Sequence, residues 1–266
     1  AKPAEQPLNA TADVTWHALS WPLRGAKPSF ESPDGRARVE AHGTTDALDS
    51  SGNVEGSLAP FGRLAAVYHV IRQGETWRIE KADLSLPGTP TRASVTGRVT
   101  VPKNGTLGFD ANASWKDVAW PLRGTPTVRS GAGRAVVSGT ADRYNARVDA
   151  DVAGPPDGQI PPGHWVVAGN GTPNEFHMAS LAGDVLHGRL TGSGTVGWSP
   201  RVRWDLALQG QGLDPALVKA DFPGRLDLAV KTRGEMLPAG PTGTVDVSRL
   251  AGTLRQQPLS ATAAVR

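Results

Sequence analysis

Along most of the chain, apolar and polar residues alternate one by one. In 143–152, Tyr144, Ala146, Val148, Ala150 and Val152 form one set, and Arg143, Asn145, Arg147, Asp149 and Asp151 form the other. In 202–209 the apolar set is Val202, Trp204, Leu206 and Leu208, set against Arg203, Asp205 and Gln209. In 225–231, Leu226, Leu228 and Val230 alternate with Arg225, Asp227 and Lys231. The stretches 93–101 (with Val95 and Val99), 107–115 (with Phe109 and Trp115) and 244–248 behave likewise. A period of two belongs to a β-strand with one apolar and one wet face. Pro33-Asp34-Gly35, Lys103-Asn104-Gly105 and Pro155-Pro156-Asp157-Gly158 read as turns between runs. The segment 62–72 also reads as a short helix, but its Val67-Tyr68-His69-Val70-Ile71 end favours a strand.

The pattern repeats. Trp16 corresponds to Trp115, and Trp21-Pro22-Leu23-Arg24-Gly25 to Trp120-Pro121-Leu122-Arg123-Gly124, at a common offset of 99. Downstream, 35–46 resembles 133–142, 74–86 resembles 171–183 with Trp77 opposite Phe176, and 97–115 resembles 194–210. A third unit begins near Gly212-Leu213-Asp214-Pro215. Repeat units of approximately 12–110, 111–210 and an incomplete 211–266 follow, within one continuous body over 1–266.

With 32 Gly and 22 Pro in 266 residues, long helices are excluded and many turns are expected. The hydrophobic share of 38% is lean for one closed core and suits a sheet in which only alternate residues are apolar. The fold expected is all-β: an elongated, strongly curved antiparallel sheet forming a repeating groove with an apolar concave interior. A β-sandwich and a closed barrel are the ordinary alternatives. About eight or nine strands per unit, and roughly twenty in all, are expected from short strands at about ten-residue spacing. The residues expected to line the groove are Trp77, Val95, Val99, Phe109, Trp115, Tyr144, Val148, Val152, Val202, Trp204, Leu206, Leu208, Leu226, Leu228 and Val230.

Charge and chemistry narrow the classes further. The net charge of +3 is spread along the chain, so no nucleic-acid partner is expected. With no Cys there is no disulfide or thiolate chemistry. The six His lack ligand spacing, and Gly192-Ser193-Gly194-Thr195-Val196-Gly197 matches a dinucleotide fingerprint only in letters, since Trp198-Ser199-Pro200 follows instead of a helix. No nucleophile motif or carboxylate pair stands out. No enzyme activity, metal or cofactor is expected. Trp21 and Trp120 before Pro read as structural corners, with direct ligand contact as the second reading. Arg24 and Arg123 either pair with a carboxylate or meet phosphate headgroups at the rim.

The Trp-Pro-Leu block, the strand 133–144, the stretch from Val196 to Pro215 with its Gly212-Leu213-Asp214-Pro215 close, and 250–261 together resemble the TamB family of AsmA-like proteins, over nearly the whole chain. The resemblance implies a periplasmic β-groove that conducts phospholipid acyl chains from inner to outer membrane. It also implies an inner-membrane anchor, which lies outside this sequence, and a TamA-like outer-membrane barrel partner. On this view the chain is an interior fragment. The alternative implied function is a structural or chaperone module that assists outer-membrane protein assembly.

Overall fold

The computed structural model describes residues 7–21, 30–58, 62–122, 124–155 and 160–265. It is all-β, with sixteen strands among the described residues and no helix longer than the 3₁₀ turn Pro215–Leu217. The chain forms two compact units, 1–126 and 127–266.

The first unit holds β1 (Leu8–Trp21), β2 (Phe30–Gly43), β3 (Ala47–Leu58), β4 (Gly62–Gln73), β5 (Thr76–Ser85), β6 (Arg92–Thr100) and β7 (Gly108–Trp120). Each pairs antiparallel with the next in sequence. The second unit holds β8 (Val128–Thr140), β9 (Tyr144–Val152), β10 (Gly163–Thr172), β11 (Glu175–Val185), β12 (Gly188–Gly197), β13 (Arg203–Leu213), β14 (Gly224–Leu237), β15 (Gly240–Leu254) and β16 (Gln257–Val265), paired in the same way. Each unit is an open, curved meander, and none of these pairings closes a barrel. Seven register shifts break the ladders, for example at His69/Val70 and Val247/Leu250. An extra residue on one strand bends it and increases its twist, which is how a sheet of such long strands curves.

The segment 62–72 is a strand, β4, because its β-branched and aromatic end pairs on both sides, with β3 and β5. The glycine-rich stretch 192–197 ends β12, with no helix after it. Strand number and length differ from the sequence reading. Trp21 closes β1 and Trp120 closes β7, so one repeat carries six strands rather than eight or nine. The strands run from 9 to 15 residues because some turn signals lie inside them. Pro33-Asp34-Gly35 falls within β2, where Asp34 pairs with His17 and Gly35 with Trp16. A proline lacks one donor yet still fits where its own edge of the ladder goes unpaired, and β3 pairs with β2 only from Gly35 onward. Lys103-Asn104-Gly105 does lie in a loop. The Pro22–Gly25 block with Arg24, together with Arg123 and the turn at 156–158, lies outside the described residues.

Burial is shallow. The buried apolar side chains among the described residues are Ala150, Met178, Val185 and Leu213, all in the second unit. Among the described residues no large side chain is fully enclosed. A sandwich would fill its inner layer with enclosed residues. Here the apolar residues are mostly half-buried.

Candidate functional site

Directly opposed residues of an antiparallel pair project to the same face, and neighbours along a strand project to opposite faces. The pairings therefore assign each strand residue to a face. In the second unit a row runs Gly139, Tyr144, Gly171, Phe176, Val196, Trp204, Gly234 and Gly243. A second runs Ala135, Val148, Val167, Leu181, Gly192, Leu208, Val230, Val247 and Ala263. A third runs Ala150, Trp165, Gly183, Leu190, Gly210, Leu228, Leu250 and Ala261. None of these positions carries a charge. Among the described strand residues of the second unit, the one aliphatic hydroxyl on this face, Thr232, accepts a hydrogen bond from Trp204 Nε1 at 3.0 Å.

The first unit repeats the arrangement. Val14, Ala37, Val54, Ala66 and Leu84 form one row, and Val95 with Ala113 and Val99 with Phe109 continue the face on β6 and β7. The Trp16 indole N–H donates to Ser32 Oγ at 2.8 Å. With its polar end satisfied, each of these indoles presents only ring surface.

The opposite face is charged and internally paired. Arg36 meets Glu55 at 2.6 Å and Arg134 meets Asp149 at 2.8 Å, each pair directly opposed across two strands. Arg203 reaches Glu175 at 2.9 Å, and Arg233 holds Asp205. The Arg36 hydrogen bond lowers the Glu55 pKa, and the Arg134 hydrogen bond lowers that of Asp149. His164 sits 2.9 Å from Asp151, whose hydrogen bond raises the imidazole pKa, with Asp149 and Asp184 adding to the effect.

Exposure of valines on inner strands does not divide strictly by face: Val166 on the charged face is half-buried, and Val245 on the apolar face is 39% exposed. Val67 and Val136, on the charged face, are 50% and 48% exposed, whereas Val70, Val148 and Val167 on the apolar face are half-buried.

Aromatic side chains on the apolar face lie over glycines of the neighbouring strand. A Cβ built on Gly35 would fall 2.0 Å from the Trp16 ring, one on Gly171 2.4 Å from Tyr144, and one on Gly183 2.5 Å from Trp165. The glycines make room for rings laid flat along the face.

Of the residues singled out from the sequence, Trp77, Val95, Val99, Phe109 and Trp115 lie on the apolar face of the first unit. Tyr144, Val148, Val152, Trp204, Leu206, Leu208, Leu226, Leu228 and Val230 lie on that of the second. Val202 precedes β13 and is 45% exposed. Trp77 and Trp204 are each the second residue of their strand, so they stand at the face's edge. Trp120 closes its strand beside Pro121 and is 55% exposed. Sequence reading missed Trp16, Tyr68 and Trp165 as members of the face. Their alternation with Thr15, Val67 and Val166 was the available signal, and it was blurred where the residue beside the aromatic, Val67 or Val166, is itself apolar.

The family model described as TamB, N-terminal domain, matches residues 74–266. No solved structure matches the chain.

Proposed function

The chain belongs to the TamB family, and on that premise we propose that its apolar face carries phospholipid acyl chains along a periplasmic bridge between the inner and outer membranes. The family is periplasmic, and its work is broadly lipid transport or assembly. The observation that carries the lipid reading is the segregation of the two faces. Apart from one arginine at its edge, no charge stands on the apolar face in the described strand pairings. Soluble monomers rarely leave an apolar patch beyond about 300–600 Å² in water. Acyl chains are featureless apolar ligands and need no directional groups. Tails lie on the face, headgroups stay in water, and no residue is catalytic. On this reading the protein is held at the inner membrane.

No helix of the described residues is long and apolar enough to cross a membrane. The second reading is a chaperone module that guides outer-membrane strands towards a TamA-like barrel partner. It uses the same face for apolar side chains instead of tails.

Native mass spectrometry of the purified chain separates the two readings. Co-purified phospholipid, displaced by added phospholipid and not by an amphipathic β-strand peptide, supports the conduit. A lipid-free spectrum with saturable peptide binding overturns it.

A further inference from the structure

One charged side chain interrupts the apolar register. Arg72, near the end of β4, is directly opposed to Leu48 on β3 and to Trp77 on β5, and so belongs to the apolar face at its edge. Its guanidinium carbon lies 5.3 Å from the centroid of the Trp77 ring, and its Nε donates to the Gly74 carbonyl at 2.9 Å. These two contacts hold the guanidinium in place. No ion pair among the described residues joins it to a carboxylate. Glu75, in the same hairpin, is engaged by the backbone N–H of Lys103 at 3.1 Å.

The hairpin does not require this charge. In the second copy of the repeat the matching corner consists of Tyr144, Gly171 and Phe176, opposed in the same way as Leu48, Arg72 and Trp77. There Tyr144 lies over Gly171 and stacks on Phe176, with ring centroids 6.4 Å apart. One corner is closed by two aromatic rings and carries no charge, and the other holds a cation without an anion. A guanidinium offers a planar fork that matches two phosphate oxygens at once.

We infer that Arg72 and Trp77 form a headgroup station at the edge of the apolar face, where the Arg72 terminal nitrogens bind the phosphate of a phospholipid and the Trp77 ring receives its first methylenes. The inference rests on the lipid reading above and adds the headgroup chemistry, an anionic phosphodiester. The corner built by Tyr144, Gly171 and Phe176 takes tails only.

Isothermal titration of the whole chain with short-chain phosphatidylglycerol, kept below its micelle concentration, tests this. The comparison ligands are a diacylglycerol of the same chain length and inorganic phosphate. Arg72→Met keeps length and ring contact and removes the charge. It is expected to weaken phosphatidylglycerol binding on the order of tenfold and to leave the diacylglycerol unchanged. Arg72→Lys should recover part of the loss. Arg78→Gln, on the charged face, should bind like the parent. Circular dichroism establishes that each variant is folded. Equal phosphatidylglycerol affinity in Arg72→Met and the parent overturns the station and leaves the lipid reading standing. Absence of binding by both phosphatidylglycerol and diacylglycerol overturns the lipid reading itself. Competition by inorganic phosphate at equal affinity overturns the headgroup as the ligand and leaves a free-anion site.

Discussion

Trp204 lies over Gly234, its directly opposed partner on the next strand, and a Cβ placed on Gly234 would come within 2.5 Å of both the Trp204 ring and the Thr242 carbonyl oxygen. The indole N–H is turned along the same strand to Thr232. Glycine at 234 is thus a steric requirement of the ring, and the ring in turn covers backbone that glycine leaves bare.

Gly234→Ala is therefore expected to destabilise the second unit by about 1–3 kcal/mol, the usual cost of forcing a methyl into a filled contact. Gly183→Ala should act alike, since its Cβ would fall 2.5 Å from Trp165. Gly131→Ala is the control: open space surrounds that position, and the change should be neutral within about 0.5 kcal/mol. Urea unfolding followed by far-ultraviolet circular dichroism measures all three. Indistinguishable midpoints would mean that the rings move aside at little cost.

Ser32 is expected to matter more than an ordinary surface serine. It is 3% exposed, accepts from the Trp16 indole, and donates within reach of the Asp34 and Ser57 carbonyl oxygens, at 3.2 and 2.7 Å. Ser32→Ala leaves the indole N–H without that acceptor, at a cost of about 1–3 kcal/mol. Trp16→Phe removes the donor along with the need for it, so the double variant should lose less than the sum of the two single changes. Additive losses would show that the hydrogen bond does not couple them.

Much of this fold was legible in the sequence because its cause is local. Strict alternation names a strand and its two faces, and the register preserves that assignment across each neighbour. Strand length was not legible, because Pro33-Asp34-Gly35 reads as a turn, and the pairing of Asp34 and Gly35 with β1 and of Gly35 with β3 keeps it extended. The aromatic-on-glycine contacts were hidden for a related reason. Trp204 and Gly234 are thirty residues apart, and nothing at either position announces the other. Arg72 was overlooked because it looks like one more dispersed charge until its opposition to Trp77 puts it on the apolar side.

The charged face should respond to pH through His164. Its pKa is raised, first by the Asp151 hydrogen bond. A raised imidazole contributes stability below its unfolded pKa, and that contribution disappears as pH climbs through the folded value. Asp149 works in the opposite direction. Its pKa is lowered by the Arg134 hydrogen bond, so its contribution is present above the ordinary aspartate range and is lost as pH falls through the folded value. Proton–nitrogen correlation spectra across pH 5 to about 8 should place the His164 midpoint above that of a free histidine. Asp151→Asn should bring it down, and an unchanged midpoint would contradict the assigned cause.

The last prediction separates a conduit from a scaffold. Leu206 stands on the apolar face between Gly194 and Thr232, its opposed neighbours, and is only half-buried. An arginine there has small neighbours on both sides and open space above. Leu206→Arg is therefore expected to fold, with a stability loss of at most about 1–2 kcal/mol, below the cost of a charge in a closed core. Its effect on transport should be far larger. An acyl chain sliding along the face would have to pass an ion, and water drawn in by that ion would break the continuous apolar surface. The contrasting change is Arg203→Ala on the charged face. It gives up an exposed pair with Glu175, worth about 0–1 kcal/mol, and touches no tail. Both are to be placed in the full-length protein and expressed at equal levels in a strain that lacks redundant bridge proteins. The measurement is phospholipid delivery to the outer membrane. Leu206→Arg should abolish it and Arg203→Ala should leave it intact. Full delivery by Leu206→Arg would mean that lipid does not travel on this face, and the chaperone reading would then take its place.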